Sequence, residues 1–230
     1  MTYVVFPAAD ADECRKCLWR WVPLGYKAFV LFDHGTLKDE TLPSRLRDDG
    51  LLEGWVVVSP YRGWYASVNL LMALAFTRGA DWAVCVGSDM DPDPAHLPRD
   101  IEDAARARFG GTCGVVQPAG DPWDEKGGLR AAERICGSPW IGREFFELCG
   151  GVVWDERYHH YFGDERLRET LLEDGYLWQP REYAHLHRHP TRERRRKPLY
   201  LGKTWKRDEK TFRADKKAGF PGRPWRRESS

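Results

Sequence analysis

Over its first half the chain alternates short, nearly unbroken apolar runs with longer stretches of helical period. Tyr3–Phe6, Ala28–Phe32, Trp55–Val58, Trp82–Val86 and Val115–Val116 are short and rich in β-branched and aromatic residues, the pattern of strands buried on both faces. Between them, Asp10–Val22, Ser67–Thr77 and Asp100–Arg108 space apolar residues three and four apart and predict helices. Pro43 and Pro60 break the intervening segments and predict loops. Alternation at this spacing predicts βαβ units and a mostly parallel α/β sheet. In such sheets ligands sit at the carboxyl ends of the strands. The second half is less regular. Gly127-Gly128 and Gly150-Gly151 punctuate it, Glu165–Leu172 predicts a further helix, and Tyr176–Trp178 and Tyr183–His187 predict late strands. From about Thr191 the periodicity fades.

Composition narrows the class. With 230 residues the chain can bury a substantial core without disulfides or structural metals. Its 42% apolar and 31% charged residues predict a globular, soluble body. The longest near-apolar stretch, Val68–Phe76, is too short to span a bilayer. The first residues lack the basic and apolar regions of a signal peptide. Six irregularly spaced cysteines suit a reducing cytoplasm better than a disulfide scaffold. Cys14-Arg-Lys-Cys17 falls in a predicted helix and has no second pair, so it is read as two cysteines packing on the sheet.

The net charge of +1 conceals an asymmetry. Residues 181–230 carry 17 Lys/Arg against 6 Asp/Glu, a balance of +11, which leaves 19 against 29, or −10, in residues 1–180. An acidic body with a basic end points to an anionic partner.

The most informative stretch is Trp82-Ala-Val-Cys-Val-Gly-Ser-Asp89-Met90-Asp91-Pro-Asp93, an apolar strand running straight into carboxylates. Taken alone, an acidic loop with Asp as a turn residue would account for it. Carboxylates at a strand end can equally hold a hard divalent cation, and Mg²⁺ uses one or two of them together with substrate phosphates.

This stretch resembles the strand and Asp-x-Asp motif of GT-A fold glycosyltransferases. Other segments follow in the order of that family. Gly63 and Asn69 keep its Gly-x5-Asn spacing after Arg62, and Phe32-Asp33-His34-Gly35-Thr36 is similar to its acidic nucleotide-contacting turn. Gly150-Gly151-Val-Val-Trp154-Asp155-Glu156 and Phe162-Gly163-Asp164-Glu165-Arg166-Leu167 resemble its Gly-Gly-Phe-Asp-Glu and Glu-Asp-x-Asp-Leu segments. The likeness covers residues 1–190, and 191–230 form a basic, aromatic-containing extension.

The resemblance implies a GT-A (Rossmann-like) sheet flanked by helices and a transfer from a UDP- or GDP-sugar that depends on Mn²⁺ or Mg²⁺. It assigns Asp91 to the metal, with Asp93 as a carboxylate able to substitute, and places Pro7, Ala8, Asp33, Arg62, Asn69 and Asp89 against the nucleotide sugar. A His after the last core strand often supplies a further ligand, and His187 or His185 in Ala184-His-Leu-His-Arg-His189 fits that place. A solvated, weakly basic strand edge explains these histidines equally well. Asp164 aligns with the general base, which would make the reaction inverting, although Asp also favours the N-cap of a helix. Gly163 stands where the family usually carries an acid. His159-His160 fall near the expected acceptor site, and Asp155-Glu156 is either an acceptor contact or an ordinary loop pair.

In the extension, Arg194, Arg195, Arg196, Lys197, Lys203 and Lys206 alternate with aromatics that include Trp205. Cations neutralise phosphates and aromatics stack on bases. Compact viral glycosyltransferases that decorate hydroxymethylated DNA bases resemble this layout, which makes DNA modification in an infected cell's cytoplasm the favoured expectation. A glycan, lipid-linked sugar or protein acceptor on the same fold is the alternative. A non-catalytic nucleic-acid-binding module ranks below both. A nucleotidyltransferase would require a Gly-rich basic loop after the first strand, where Phe6-Pro7-Ala8-Ala9-Asp10 stands.

Overall fold

The computed structural model describes residues 1–35, 37–120, 135–188 and 201–226. Gly127-Gly128, His189 and the run Arg194–Lys197 lie outside the described residues.

The predicted alternation is present. Strands β1 (Thr2–Ala8), β2 (Lys27–Asp33), β3 (Gly54–Val58) and β4 (Trp82–Cys85) pair in parallel. They form one half of a seven-stranded sheet of order β3-β2-β1-β4-β8-β6-β9. Strands β6 (Val115–Val116) and β9 (Leu177–Trp178) are parallel to each other, while β8 (Trp140–Gly142) runs antiparallel to β4 and β6. A smaller sheet joins β5 (Met90–Asp91), β10 (Ala184–His187) and β7 (Ala119–Gly120) in the order β5-β10-β7. The mostly parallel sheet flanked by helices is the expected α/β fold.

Helix α1 (Ala11–Trp21) starts at Asp10, whose carboxylate accepts the N–H groups of Asp12 and Glu13. It buries Cys14, Cys17, Leu18 and Trp21 on the sheet, and burial pushes the Cys14 thiol up to about 12 and Cys17 higher still. Both cysteines are therefore inert packing groups. The other helices are α2 (Leu42–Asp48), α3 (Trp64–Thr77), α4 (Pro98–Phe109), α5 (Arg143–Leu148), α6 (Gly163–Glu173) and α7 (Leu201–Lys217).

Two expectations are corrected. Pro43 lies inside α2, in its first turn, where its missing N–H has no helical partner to lose. The chain beyond Thr191 does not simply lose its order, because α7 is a long helix. Its Phe212, with Phe220 and Trp225 that follow, is buried in the same core as Tyr65, Phe145 and Trp154. Those rings pack inside the fold and are not free to stack on bases. The second face of the sheet buries a separate core around Trp21, Trp82 and Trp140.

Candidate active site

At the end of β4 the chain turns through Gly87-Ser88-Asp89 into β5, and a Cβ at Gly87 would lie 2.6 Å from Asp89 Oδ1. Glycine there lets the Asp89 carboxylate fold back over the strand end. Strand β10 pairs antiparallel with β5 and brings His187 opposite Met90, so that its Nε2 lies 3.2 Å from Asp89 Oδ2. Both side chains are about a quarter exposed. A carboxylate and an imidazole this close fit a divalent cation that takes its remaining ligands from a substrate diphosphate. Among the described residues no group of three or more His, Cys, Asp or Glu gathers to hold a metal.

Asp91 differs from expectation. It is 8% exposed, with Oδ1 ion-paired to Arg20 Nε and Oδ2 receiving Arg188 Nε at 2.6 Å. One guanidinium therefore faces each Asp91 oxygen. Arg20 reaches this point from α1 and also donates to the Ser88 carbonyl at 3.1 Å.

Asp93 is not a spare ligand either. Its Oδ1 accepts the N–H groups of Ala95 (2.7 Å) and His96 (2.9 Å), and its Oδ2 accepts that of Ala184 (2.6 Å). Burial alone would raise its pKa, but these bonds and His96 outweigh burial and hold the carboxylate below its usual range. Asp93 is a clamp between the loop after β5 and the start of β10.

His185 is removed from the metal set for a related reason. It is fully buried beside Trp21, with its Nε2 3.3 Å from Trp140 Nε1. Burial lowers its pKa to about 4, so it is a neutral core residue.

Asn69, expected against the donor, has all of its amide capacity used inside the protein. Its Nδ2 donates to Trp154 O (2.9 Å) and Glu156 Oε1 (3.1 Å), and its Oδ1 accepts from Val153 N (3.3 Å) and Trp154 N (3.0 Å). With Arg62 it lines a cleft of about 270 Å³ that also includes Val58 and Val152. Asp89, His187 and Asp164 are not on that wall. Pro7 and Ala8 close β1, and Asp33 closes β2 with its Oδ1 accepting the Gly35 N–H at 3.2 Å. These three therefore stand at the carboxyl edge of the sheet, where ligands bind.

Asp164 lies in the first turn of α6, part-buried, and the helix begins after Phe162. The Tyr65 hydroxyl accepts the N–H groups of Gly163 (3.0 Å) and Asp164 (3.2 Å) and donates to Asp164 Oδ1 (3.3 Å). A Cβ at residue 163 would meet the Tyr65 ring at 2.5 Å, which explains glycine where the family pattern has an acid. Burial raises the Asp164 pKa, with its own and Glu165's N–H, the Tyr65 hydroxyl and His187 acting against that rise. His187 is therefore within electrostatic reach of Asp164, and Asp89 stands in the same relation to His160. Asp89 lies against His187, and longer-range electrostatic contacts link His187 to Asp164 and Asp89 to His160.

Asp155 pairs with Arg157 and, at 3.5 Å, with the buried Arg166, so it is a structural member of the loop. Lys203, Trp205 and Lys206 are exposed on α7, and Trp205 packs edge-on to Tyr161 and Phe162, each at 4.8 Å. Tyr65, Arg20 and Asp208 were not singled out from the sequence. Only the pairing of distant segments reveals them, although the Gly163 departure was a signal that some side chain presses on that backbone.

No protein-family model matches the chain, and no curated protein matches it. Solved structures do. The fold matches S. aureus TarS 1–349 at 12% identity and a TM-score of 0.53, covering 82% of this chain and 60% of that one. It matches TarS 1–349 in complex with UDP at 10% identity and a TM-score of 0.55. GalNAc-T7 with UDP, GalNAc and Mn²⁺ matches at 11% identity and a TM-score of 0.56, covering 81% of this chain and 43% of that one. The chain thus has the α/β fold of nucleotide-sugar glycosyltransferases of the GT-A type and spans 60% of the length of TarS 1–349 and 43% of that of GalNAc-T7.

Proposed function

We propose that the protein transfers a sugar from a UDP- or GDP-sugar to an acceptor hydroxyl, with inversion at the anomeric carbon. The observation that carries this reading is the Asp89–His187 pair at the carboxyl end of β4, 3.2 Å apart, with the Tyr65-bonded carboxylate of Asp164 in electrostatic reach of His187. UDP is the first donor to test, because the TarS and GalNAc-T7 structures hold it. Asp89 and His187 would hold Mn²⁺ or Mg²⁺ against the donor diphosphate, and the ion supplies Lewis-acid stabilisation of the leaving group. Arg188, exposed at its outer end and fixed on Asp91, adds positive charge beside that pair. Asp164 takes the proton of the acceptor hydroxyl as its oxygen bonds to the anomeric carbon, and the bond from that carbon to the diphosphate oxygen breaks. A carboxylate with a raised pKa is a stronger base than a solvated one.

For the acceptor we favour a hydroxymethylated base in DNA. Among the described residues, Lys203, Lys206, Lys210 and Lys217 have no ion-pair partner, and all four are exposed. At 100° per residue they fall on one side of α7, the arrangement that tracks a phosphate backbone. All six cysteines are free thiols, which suits a reducing cytoplasm.

Calorimetry of UDP- and GDP-sugars with and without Mn²⁺ tests the core of this reading. We expect metal-dependent binding that weakens at least tenfold in Asp89→Ala and His187→Ala. The reading is abandoned if no nucleotide sugar binds with either metal.

A further inference from the structure

A single carboxylate holds the loop that leads into the proposed base, and it comes from the C-terminal helix. Asp208 is fully buried, and its Oδ2 accepts the N–H groups of three successive residues, His159 (3.0 Å), His160 (2.8 Å) and Tyr161 (3.0 Å). Its Oδ1 takes Arg207 Nε and Nη2 at 3.0 and 2.8 Å. Consecutive N–H groups aimed at one point form an anion-binding concavity. Here the chain fills its own.

The rest of the loop is fixed to match. The His159 carbonyl accepts the Trp64 N–H at 2.7 Å. Phe162 follows at φ 65°, a left-handed conformation that costs a non-glycine residue about 1–2 kcal/mol and persists only where the surroundings enforce it. Its ring packs between Trp205 (4.8 Å) and Phe212 (5.4 Å), both on α7. Two residues on stands Asp164. One face of α7 therefore fixes both the backbone and the strained ring that set the start of α6.

We propose that Asp208 is a positioning residue for sugar transfer. Acting through His159–Phe162, it sets Asp164 and His160 against the acceptor. This rests on Asp164 being the base. Asp215, also buried on α7, is an internal control, since it bonds Arg157 (2.8 Å) and Tyr158 Oη (2.8 Å) and makes no bond to residues 159–161.

The test compares Asp208→Asn, Asp208→Ala and Asp215→Asn in the full chain. Turnover is read as UDP release from the UDP-sugar that binds best, at a temperature where circular dichroism shows each variant folded. We expect both Asp208 variants to speed amide exchange at residues 159–161 at least tenfold while exchange in β1 and β4 is unchanged. Their kcat should fall at least tenfold with donor KM within threefold. Millimolar formate, which refills the concavity, should restore Asp208→Ala and leave Asp215→Asn as it was. Unchanged exchange in the Asp208 variants overturns the proposal, and so does faster exchange with wild-type kcat. If one variant fails to fold, the other carries the comparison. If both fail, Asp208 is a folding residue and the positioning role is rejected. Failure of the underlying reading shows separately, as Asp164→Asn keeping wild-type kcat.

Discussion

Asp164 carries opposed demands that one substitution separates. Burial raises its pKa above the unfolded value, so ionising it in the folded protein costs stability. The sign follows from linkage: a group whose folded pKa is raised contributes stability fully below its unfolded pKa, and that contribution is lost as pH rises through the folded one. Asp164→Asn keeps an acceptor for the Tyr65 hydroxyl and removes the charge. We expect the variant to gain thermal stability over wild type at neutral and alkaline pH and to lose that gain below the ordinary carboxylate range. Its kcat should fall by roughly 10²–10⁴-fold, the usual worth of a general base, with donor affinity unchanged. Thermal melts across pH, set beside turnover, check both halves. A gain over wild type that is no larger at pH 8 than at pH 4 contradicts the burial argument. At this scale local spacing places Asp89 just past the end of β4, where the structure has it beside His187. It misled where a carboxylate's role depends on a distant partner. Asp91 looks like a ligand until Arg20 and Arg188 are folded onto it, and Asp93 looks spare until Ala184 arrives from 91 residues away.

Between elements, the junction of α3 with the Gly150–Trp154 turn shows how a motif residue can be structural. Asn69 supplies two donors and two acceptors to that turn from a buried position, fixing Val153, Trp154 and Glu156 against the helix. Asn69→Ala strands the buried N–H and C=O of Trp154, each worth about 1–3 kcal/mol when unsatisfied. We expect a loss of about 2–3 kcal/mol in denaturant unfolding, with donor Kd within threefold of wild type. A large loss of affinity at unchanged stability would restore the direct donor contact. The elements themselves were legible unevenly, for a physical reason. Strands β1, β2 and β4 are buried on both faces and read as apolar runs, whereas β8 offers only Trp140–Gly142 and β5 only Met90–Asp91. Helix α7 escaped because its buried stripe is Asp208, Phe212 and Asp215. Two of those three are acids, buried only because the 159–161 amides, Arg157 and Tyr158 satisfy them, and no hydrophobic period registers such a face.

For the whole molecule, the cations of the basic end that lie among the described residues fall into two populations. Arg223 and Arg226 bind Glu173 and Asp174, Lys216 binds Glu169, and Arg213 binds Glu209, so much of the local excess holds the end of the chain onto α6 or onto α7 itself. Trp225 donates to Asp174 at 2.7 Å and is 4% exposed, and Trp225→Ala should cost about 3–5 kcal/mol as a large-to-small core change. Among the described residues, the lysines left over are the unpaired ones along one side of α7, and they make the opposite prediction. Replacing Lys203, Lys206 and Lys210 with Ala should leave the melting temperature nearly unchanged, as for surface positions without partners. If these residues follow a phosphate backbone, binding to a hydroxymethylcytosine duplex should weaken with salt on a log–log slope that the triple variant reduces by about 2–3, near 0.9 per released counterion. Fluorescence anisotropy between 50 and 300 mM NaCl measures that slope directly. A triple variant with the wild-type slope, or a wild type that does not bind the duplex at low salt, removes DNA as the acceptor. The same transfer chemistry would then serve a glycan, lipid-linked sugar or protein, because nothing in the Asp89, His187 and Asp164 arrangement depends on what carries the hydroxyl.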